Sequence, residues 1–199
     1  MIRAVVFDCG GVFVVDGVYE MSKSVIKEFS LDYEGVKKFF IENFRRMFVG
    51  EFSEHVFWER FKQQFGVGVS VAYLSNRLHE LYTIQEPVKE LAIRLKSNGY
   101  KVGFLSNSVK EIAHYAEQVY KINEFFDFGV YSHEVGVRKP MREIYALLLE
   151  KARCNPNEIV FVDNEPEYVE AANSVGIKGV LFTSPTMCIE SLKGMGVRL

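Results

Sequence analysis

"VVFDCGGVFVVDG", residues 5–17, sets one carboxylate between an apolar run and a pair of glycines, then returns at once to apolar residues. An apolar run that ends on an acid, with Gly10 and Gly11 behind it, is the pattern of a buried strand delivering Asp8 to a place where backbone must approach a ligand closely. A strand-end turn has the same composition, with the Asp capping a backbone amide and the glycines supplying positive φ. The other strand ends of the chain decide between the two.

From residue 87 the chain alternates helical periods with short apolar runs. Pro87 near a helix start and Asn98-Gly99 at its end bracket "VKELAIRLK". "YKVGFLSNS", "FFDFGVYS", "EIVFVDN" and "GVLFTS" read as strands, and "IAHYAEQVY", "MREIYALLLEKA" and "EYVEAANSVG" as the helices between them, the last ending on Gly176. This alternation predicts an α/β fold, a Rossmann-like parallel sheet covered by helices on both faces and built from residues 1–15 and 86–199. Residues 16–85 read as an inserted all-helical cap. There Val36, Phe39, Phe40, Phe44, Met47 and Phe48 recur at three- and four-residue spacing, as do Phe57, Trp58, Phe61 and Phe65. So aromatic a stripe is the packed core of a small helical bundle.

In an open parallel sheet, ligands bind beyond the carboxyl ends of the strands. Asp8 ends the first strand, Ser106-Asn107 ends "VGFLSNS", and Asp163-Asn164 ends "IVFVDN". Lys139 lies in "GVRKP", after "FGVYS", where Pro140 is expected to open the next helix. Four strand ends therefore offer polar or charged groups to one edge, which favours the reactive reading of Asp8.

An Asp with a clear line to a phosphate ester can attack phosphorus and form an aspartyl-phosphate that water hydrolyses. The transferring group needs fixed positive charge and donors around it. Lys139 supplies the cation; Ser106 and the backbone amides of Gly10, Gly11 and Asn107 supply donors. Asp8, Asp163 and Asn164 make an all-oxygen set suited to Mg²⁺. Cys9, beside Asp8, is no phosphatase thiolate, because the arginine that such chemistry wants six residues on is absent: position 15 is Val.

A net charge of −2 leaves no electrostatic footprint for nucleic acid. No run of about 18 apolar residues exists, so no membrane span is expected. Asp8 and Asp16 interrupt the N-terminal apolar stretch, so no signal peptide is read there. Cys9, Cys154 and Cys188 are odd in number and lack CxxC or Cys/His spacing, which points to a reducing, cytoplasmic home. The expected partner is a small phosphorylated molecule, and no pattern in the chain encodes an oligomeric state.

"VVFDCGGVF", "FLSNS", "GVRKP" and "IVFVDNEPEYVEAANSVG", in this order and with a helical insertion after the first, resemble the four motifs of the haloacid dehalogenase superfamily. The resemblance covers essentially the whole chain. It implies a Rossmann-like core with a mobile helical cap and, in most members, a Mg²⁺-dependent phosphatase. Carried over, Asp8 matches the nucleophile, Ser106 the phosphate-binding hydroxyl, Lys139 the lysine of the third motif, and Asp163 with Asn164 the acidic pair of the fourth. Gly10 retains the backbone carbonyl that ligates metal in the family's phosphatases.

Two positions depart from that pattern. Where most of these phosphatases carry a second Asp to protonate the leaving alcohol, this chain has Gly10, and Asp16 lies too far along to stand in for it. Good leaving groups, such as those of sugar 1-phosphates, aryl phosphates or acyl phosphates, suffer least from that loss. Asn164 replaces a carboxylate with a neutral amide and predicts weak metal binding. Two alternatives follow from these departures. One is a metal-independent 2-haloacid dehalogenase, in which Asp8 attacks carbon and Arg45 and Arg46 of the cap cradle a halide or carboxylate; Asp163 argues against it. The other is a binding or regulatory protein with weakened turnover.

Overall fold

A computed structural model describes all 199 residues. Five parallel strands, β1 (Ala4–Phe7), β2 (Lys101–Ser106), β3 (Phe128–Tyr131), β4 (Ile159–Asp163) and β5 (Lys178–Leu181), pair in the order β3-β2-β1-β4-β5. β1 is central, and all four of its residues are buried, as both-face burial demands of a strand inside a parallel sheet. Its side chains alternate between the two faces. Val5 and Phe7 join a core shared with α5 (Glu86–Ser97), α6 (Lys110–Tyr120) and α10 (Pro185–Gly194); Ala4 and Val6 join a separate one under α8 (Arg142–Ala152) and α9 (Pro166–Ser174). Two element boundaries differ from the sequence reading. α8 begins at Arg142, so Pro140 stays in the preceding loop, and β3 begins at Phe128, because Phe125 closes a 3₁₀ turn over Ile122–Phe125.

Between β1 and α5 stand four helices, α1 (Gly17–Phe29), α2 (Tyr33–Met47), α3 (Glu54–Phe65) and α4 (Val71–Glu80). Each opens on a residue suited to capping: the side chains of Asp16, Asp32, Ser53 and Ser70 accept from the amides of Tyr19, Gly35, Val56 and Tyr73. The chain enters and leaves this bundle side by side, with Val15 N donating to Thr83 O (2.9 Å) and Gln85 N to Phe13 O (2.9 Å). Inside, Phe39 and Phe57 (5.2 Å), Phe57 and Trp58 (4.7 Å) and Phe61 and Phe65 (4.9 Å) pack tilted or edge-on, so the aromatic stripe fills the bundle interior. No helix is long and apolar enough to cross a membrane.

A buried acid holds this bundle together and ties it to the sheet domain. Glu54 is 1% exposed; its Oε1 accepts from Trp58 Nε1 (3.0 Å) and Ser75 Oγ (2.6 Å), and its Oε2 meets His79 Nε2 at 2.7 Å. Its own amide donates to Glu111 of α6 (3.3 Å), while the His79 ring stacks on Tyr115 of the same helix. Glu54→Ala leaves three polar groups without their acceptor and is expected to cost about 2–4 kcal/mol. Urea unfolding measures it; a loss below about 0.5 kcal/mol, the range of surface substitutions, would show that the cluster is not what secures the bundle.

Candidate active site

Asp8 follows β1, Ser106 ends β2 and Asp163 ends β4, so three neighbouring strands deliver their polar ends to one edge of the sheet. Lys139 reaches this edge from the loop between α7 (Ser132–Val135) and α8. Its Nζ donates to Asp8 Oδ1 (2.6 Å) and to Asp163 Oδ2 (2.7 Å), while the rings of Tyr168 and Phe161 lie 5.0 and 5.4 Å from it. Lys139 is 1% exposed, and a surface lysine of this sequence becomes a buried ammonium between two carboxylates.

The loop that places it is fixed by Asn107. Asn107 Oδ1 accepts from the Lys139 amide (2.8 Å) and Asn107 Nδ2 donates to the Lys139 carbonyl (3.1 Å), closing a two-point clamp on its backbone. The side chain of Asn107 therefore positions the cation. Ser132 Oγ likewise accepts from the Ser108 amide (3.0 Å), and Gly11 N donates to Val14 O (2.7 Å), which removes Gly11 from the donors facing a ligand. The amides of Gly10 and Asn107 have no acceptor within the protein, and both residues line the cleft above Asp8.

Gly11 has a different duty. Its φ of +85° is a left-handed conformation, and a Cβ there would fall 2.9 Å from the side-chain atoms of Asn164. Asn164 Oδ1 is the one buried side-chain oxygen or nitrogen without a hydrogen-bond partner. Asp163, in contrast, has a partner on each oxygen: Oδ2 accepts from Lys139 Nζ, and Oδ1 from the Glu165 amide (2.9 Å).

The charges follow from burial. Burial pushes the Asp8 carboxyl up, to about 7, with Asp163 adding to the rise and Lys139 opposing it. Burial alone would lower the Lys139 ammonium, but Asp163 and Asp8 together more than reverse this. The asymmetry is that of one cation facing two acids: the Lys139 ammonium is favoured, while the Asp8 carboxyl is raised. Cys9 is pushed up to about 12 by burial next to Asp8, which keeps its thiol protonated.

The cap contributes one of the two arginines singled out in the sequence. Arg45 lines the cleft. Arg46, about 100° further round α2, faces away; its Nε donates to Glu51 (2.6 Å) and its guanidinium lies over Phe52, so it is not a ligand-binding residue of this cleft. Asp16, too distant along the chain by sequence, does reach the cleft, because residues 9–14 fold back between it and Asp8; its carboxylate accepts from the Tyr19 amide (3.1 Å) as the cap of α1. Tyr168 was not identifiable beforehand, since its place beside Lys139 comes from the docking of α9 and leaves no mark in the local pattern.

Residues 2–176 match the model of the haloacid dehalogenase-like hydrolases, and the chain belongs to that family. It is 25% identical over 128 residues to bifunctional epoxide hydrolase 2 of Mus musculus, covering 62% of this chain and 23% of that protein. It is 35% identical over 94 residues to a glyceraldehyde 3-phosphate phosphatase of Methanothermobacter thermautotrophicus, covering 46% and 41%. The chain thus spans well under two thirds of these relatives. Among solved structures, a HAD family enzyme of Bacteroides thetaiotaomicron, in complex with magnesium and inorganic phosphate, has a TM-score of 0.71 at 20% identity over 91% of this chain and 94% of that one. An L-2-haloacid dehalogenase of Xanthobacter autotrophicus has the same fold, with a TM-score of 0.68 at 19% identity over 100% and 85%.

Lys139→Met removes the only cation between Asp8 and Asp163. An uncompensated buried pair of acids is expected to lower stability by about 3–5 kcal/mol near neutral pH. Denaturant titration reads this directly, and a variant as stable as the parent would mean that the ion triad carries no structural weight.

Proposed function

We propose that this protein is a Mg²⁺-dependent phosphatase of a small phosphorylated metabolite, with Asp8 as nucleophile. The observation that carries the reading is the floor of the cleft: a carboxylate held at 2.6 Å by a buried lysine, with two unpaired backbone amides beside it. That is an anionic nucleophile surrounded by groups that attract a phosphoryl anion. The Asp8 carboxylate attacks phosphorus, the bond from phosphorus to the ester oxygen breaks, and water then hydrolyses the aspartyl-phosphate. Ser106, 2% exposed at the end of β2, and the Gly10 and Asn107 amides orient the phosphoryl oxygens. Gly10 has no proton to give, so the leaving oxygen takes its proton from water.

Asp8, the Gly10 carbonyl and the unpartnered Asn164 Oδ1 suit a hard, oxygen-seeking cation such as Mg²⁺, with Asp163 kept for Lys139. When bound, the metal neutralises charge on the phosphate and so lowers its repulsion from Asp8. No cluster of three or more His, Cys, Asp or Glu side chains supports it, which makes the set weakly charged. 4-Nitrophenyl phosphate should be hydrolysed only with Mg²⁺, half-maximally above the micromolar range, and about 10³-fold or more slowly by Asp8→Asn. Asn164→Asp should tighten Mg²⁺ in a calorimetric titration. Turnover that survives Asp8→Asn or chelation overturns the proposal, and metal-independent halide release from 2-chloropropionate would replace it with the dehalogenase.

Nothing lies within 4 Å of a Cβ built at Gly10, whose φ is outside the left-handed region. Gly10→Asp therefore has room for the missing acid. Hydrolysis of alkyl phosphates should rise relative to 4-nitrophenyl phosphate by about 10²–10⁴-fold. An equal effect on both substrates would show that protonation of the leaving group is not the step that Gly10 limits.

A further inference from the structure

The cleft above Asp8 does not end at the catalytic floor. Floor and continuation together form one cavity of about 450 Å³ between the helical bundle and the sheet domain, within the range of small-molecule sites. One wall is a single face of α2, where Tyr33, Phe40, Ile41, Phe44 and Phe48 recur at helical spacing. From Tyr33 to Phe48 that face runs about 22 Å. The facing wall is α6, which contributes Ile112, Ala113 and Ala116. Phe40 and Phe44 are packed from behind by Phe57, but Tyr19, Tyr33 and Ile41, at 58%, 51% and 43% exposure, are large apolar side chains open to solvent along the same cavity. Isolated apolar residues on a surface need no explanation; an apolar strip continuous with a charged reaction centre does.

Its polar groups are distributed unevenly. From the bundle come Lys23 and Lys37, set against the rings of Tyr19 and Tyr33 at 4.6 and 5.6 Å, and Arg45. Lys23 is paired with Glu20 (2.9 Å), which leaves Lys37 and Arg45 as the cations suited to drawing in a phosphate dianion. Neutral hydrogen-bonding groups from the bundle are confined to the phenols of Tyr19, Tyr33 and Tyr82 and to Ser22, whose hydroxyl already donates to Tyr19 O (2.7 Å); between Tyr33 and Phe48 the α2 strip of Phe40, Ile41 and Phe44 offers hydrocarbon alone. A sugar laid along the Phe40, Ile41 and Phe44 strip would set hydroxyls against hydrocarbon there and leave them without partners.

We infer that the cleft takes a phosphate ester whose alcohol part is an elongated apolar chain or aryl-alkyl body, lying along α2 with its phosphate on the Asp8 floor. This rests on the phosphatase reading of that floor and adds the class of substrate. Within that class the aryl esters suit Gly10, since an aryl oxygen leaves without help from an acid, and the alkyl esters turn over more slowly.

Alkylphosphonates, which carry a bond that phosphatases do not cleave, test the cavity separately from the reaction. Calorimetric titration with the series from methyl- to decylphosphonate, below micellar concentrations, should show affinity rising about three- to fourfold per methylene until the cavity is filled. Ile41→Asp and Ala113→Gln should each reduce that gain. An affinity independent of chain length, a gain untouched by both substitutions, or tighter binding of glucose 1-phosphate than of decylphosphonate overturns the inference. Chain-length dependence together with no turnover of 4-nitrophenyl phosphate supports the cavity assignment while removing the phosphatase reading. Turnover with flat phosphonate affinities does the reverse.

Discussion

One buried ammonium organises this molecule's reactive edge. Two carboxylates that end adjacent strands could not both be ionised beneath the surface without it, and a lysine with no acid partner would be equally costly there. The contact therefore acts in both directions: Lys139 offsets the cost of burying Asp8 and Asp163 side by side, and they hold it between the rings of Tyr168 and Phe161. Because Asp163 is 0% exposed and Asp8 lines the cleft, Asp8 alone of the two is left to react. The division of labour between chemically identical side chains comes from their other hydrogen bonds.

The bundle that covers this edge is built on different physics. Its interior is aromatic, with rings meeting at angles that suit their quadrupoles, and its one deeply buried acid, Glu54, is fully partnered. Stability is thus supplied from the side of α2 that faces α3. The opposite side of the same helix is free to be shaped by what enters the cleft. Phe40 and Phe44 belong to both surfaces, which ties the form of the cavity to the packing of the bundle.

The sheet and the helical insertion were legible in the sequence because each has its own period: short apolar runs ending in turn residues, against Phe at three- and four-residue spacing. The strand ends named Asp8, Ser106 and Asp163 directly, since topology alone sends them to one edge. What local pattern does not hold is the direction of a side chain set by distant contacts. Arg45 and Arg46 are neighbours in sequence and part company on a helix. The Asn107 amide stays open to the cleft as its position after β2 suggests, but nothing local shows that its side chain clamps the backbone of Lys139, thirty-two positions on. Asp16 lines the same cleft as Asp8 because residues 9–14 fold back between them, a path that sequence separation does not reveal. Pro140 looks like a helix opener, yet the helix starts at Arg142.

The contact between Gly11 and Asn164 has an evolutionary side. Position 11 sits in the loop of the nucleophile and position 164 after β4, and the space between them is too small for even a methyl group. Any side chain acquired at 11 must displace the Asn164 amide, and a bulkier residue at 164 must displace the backbone that carries Asp8. A side chain acquired in the loop that attacks is therefore felt at once by the residue that would steady a cation, although 153 positions of chain separate them.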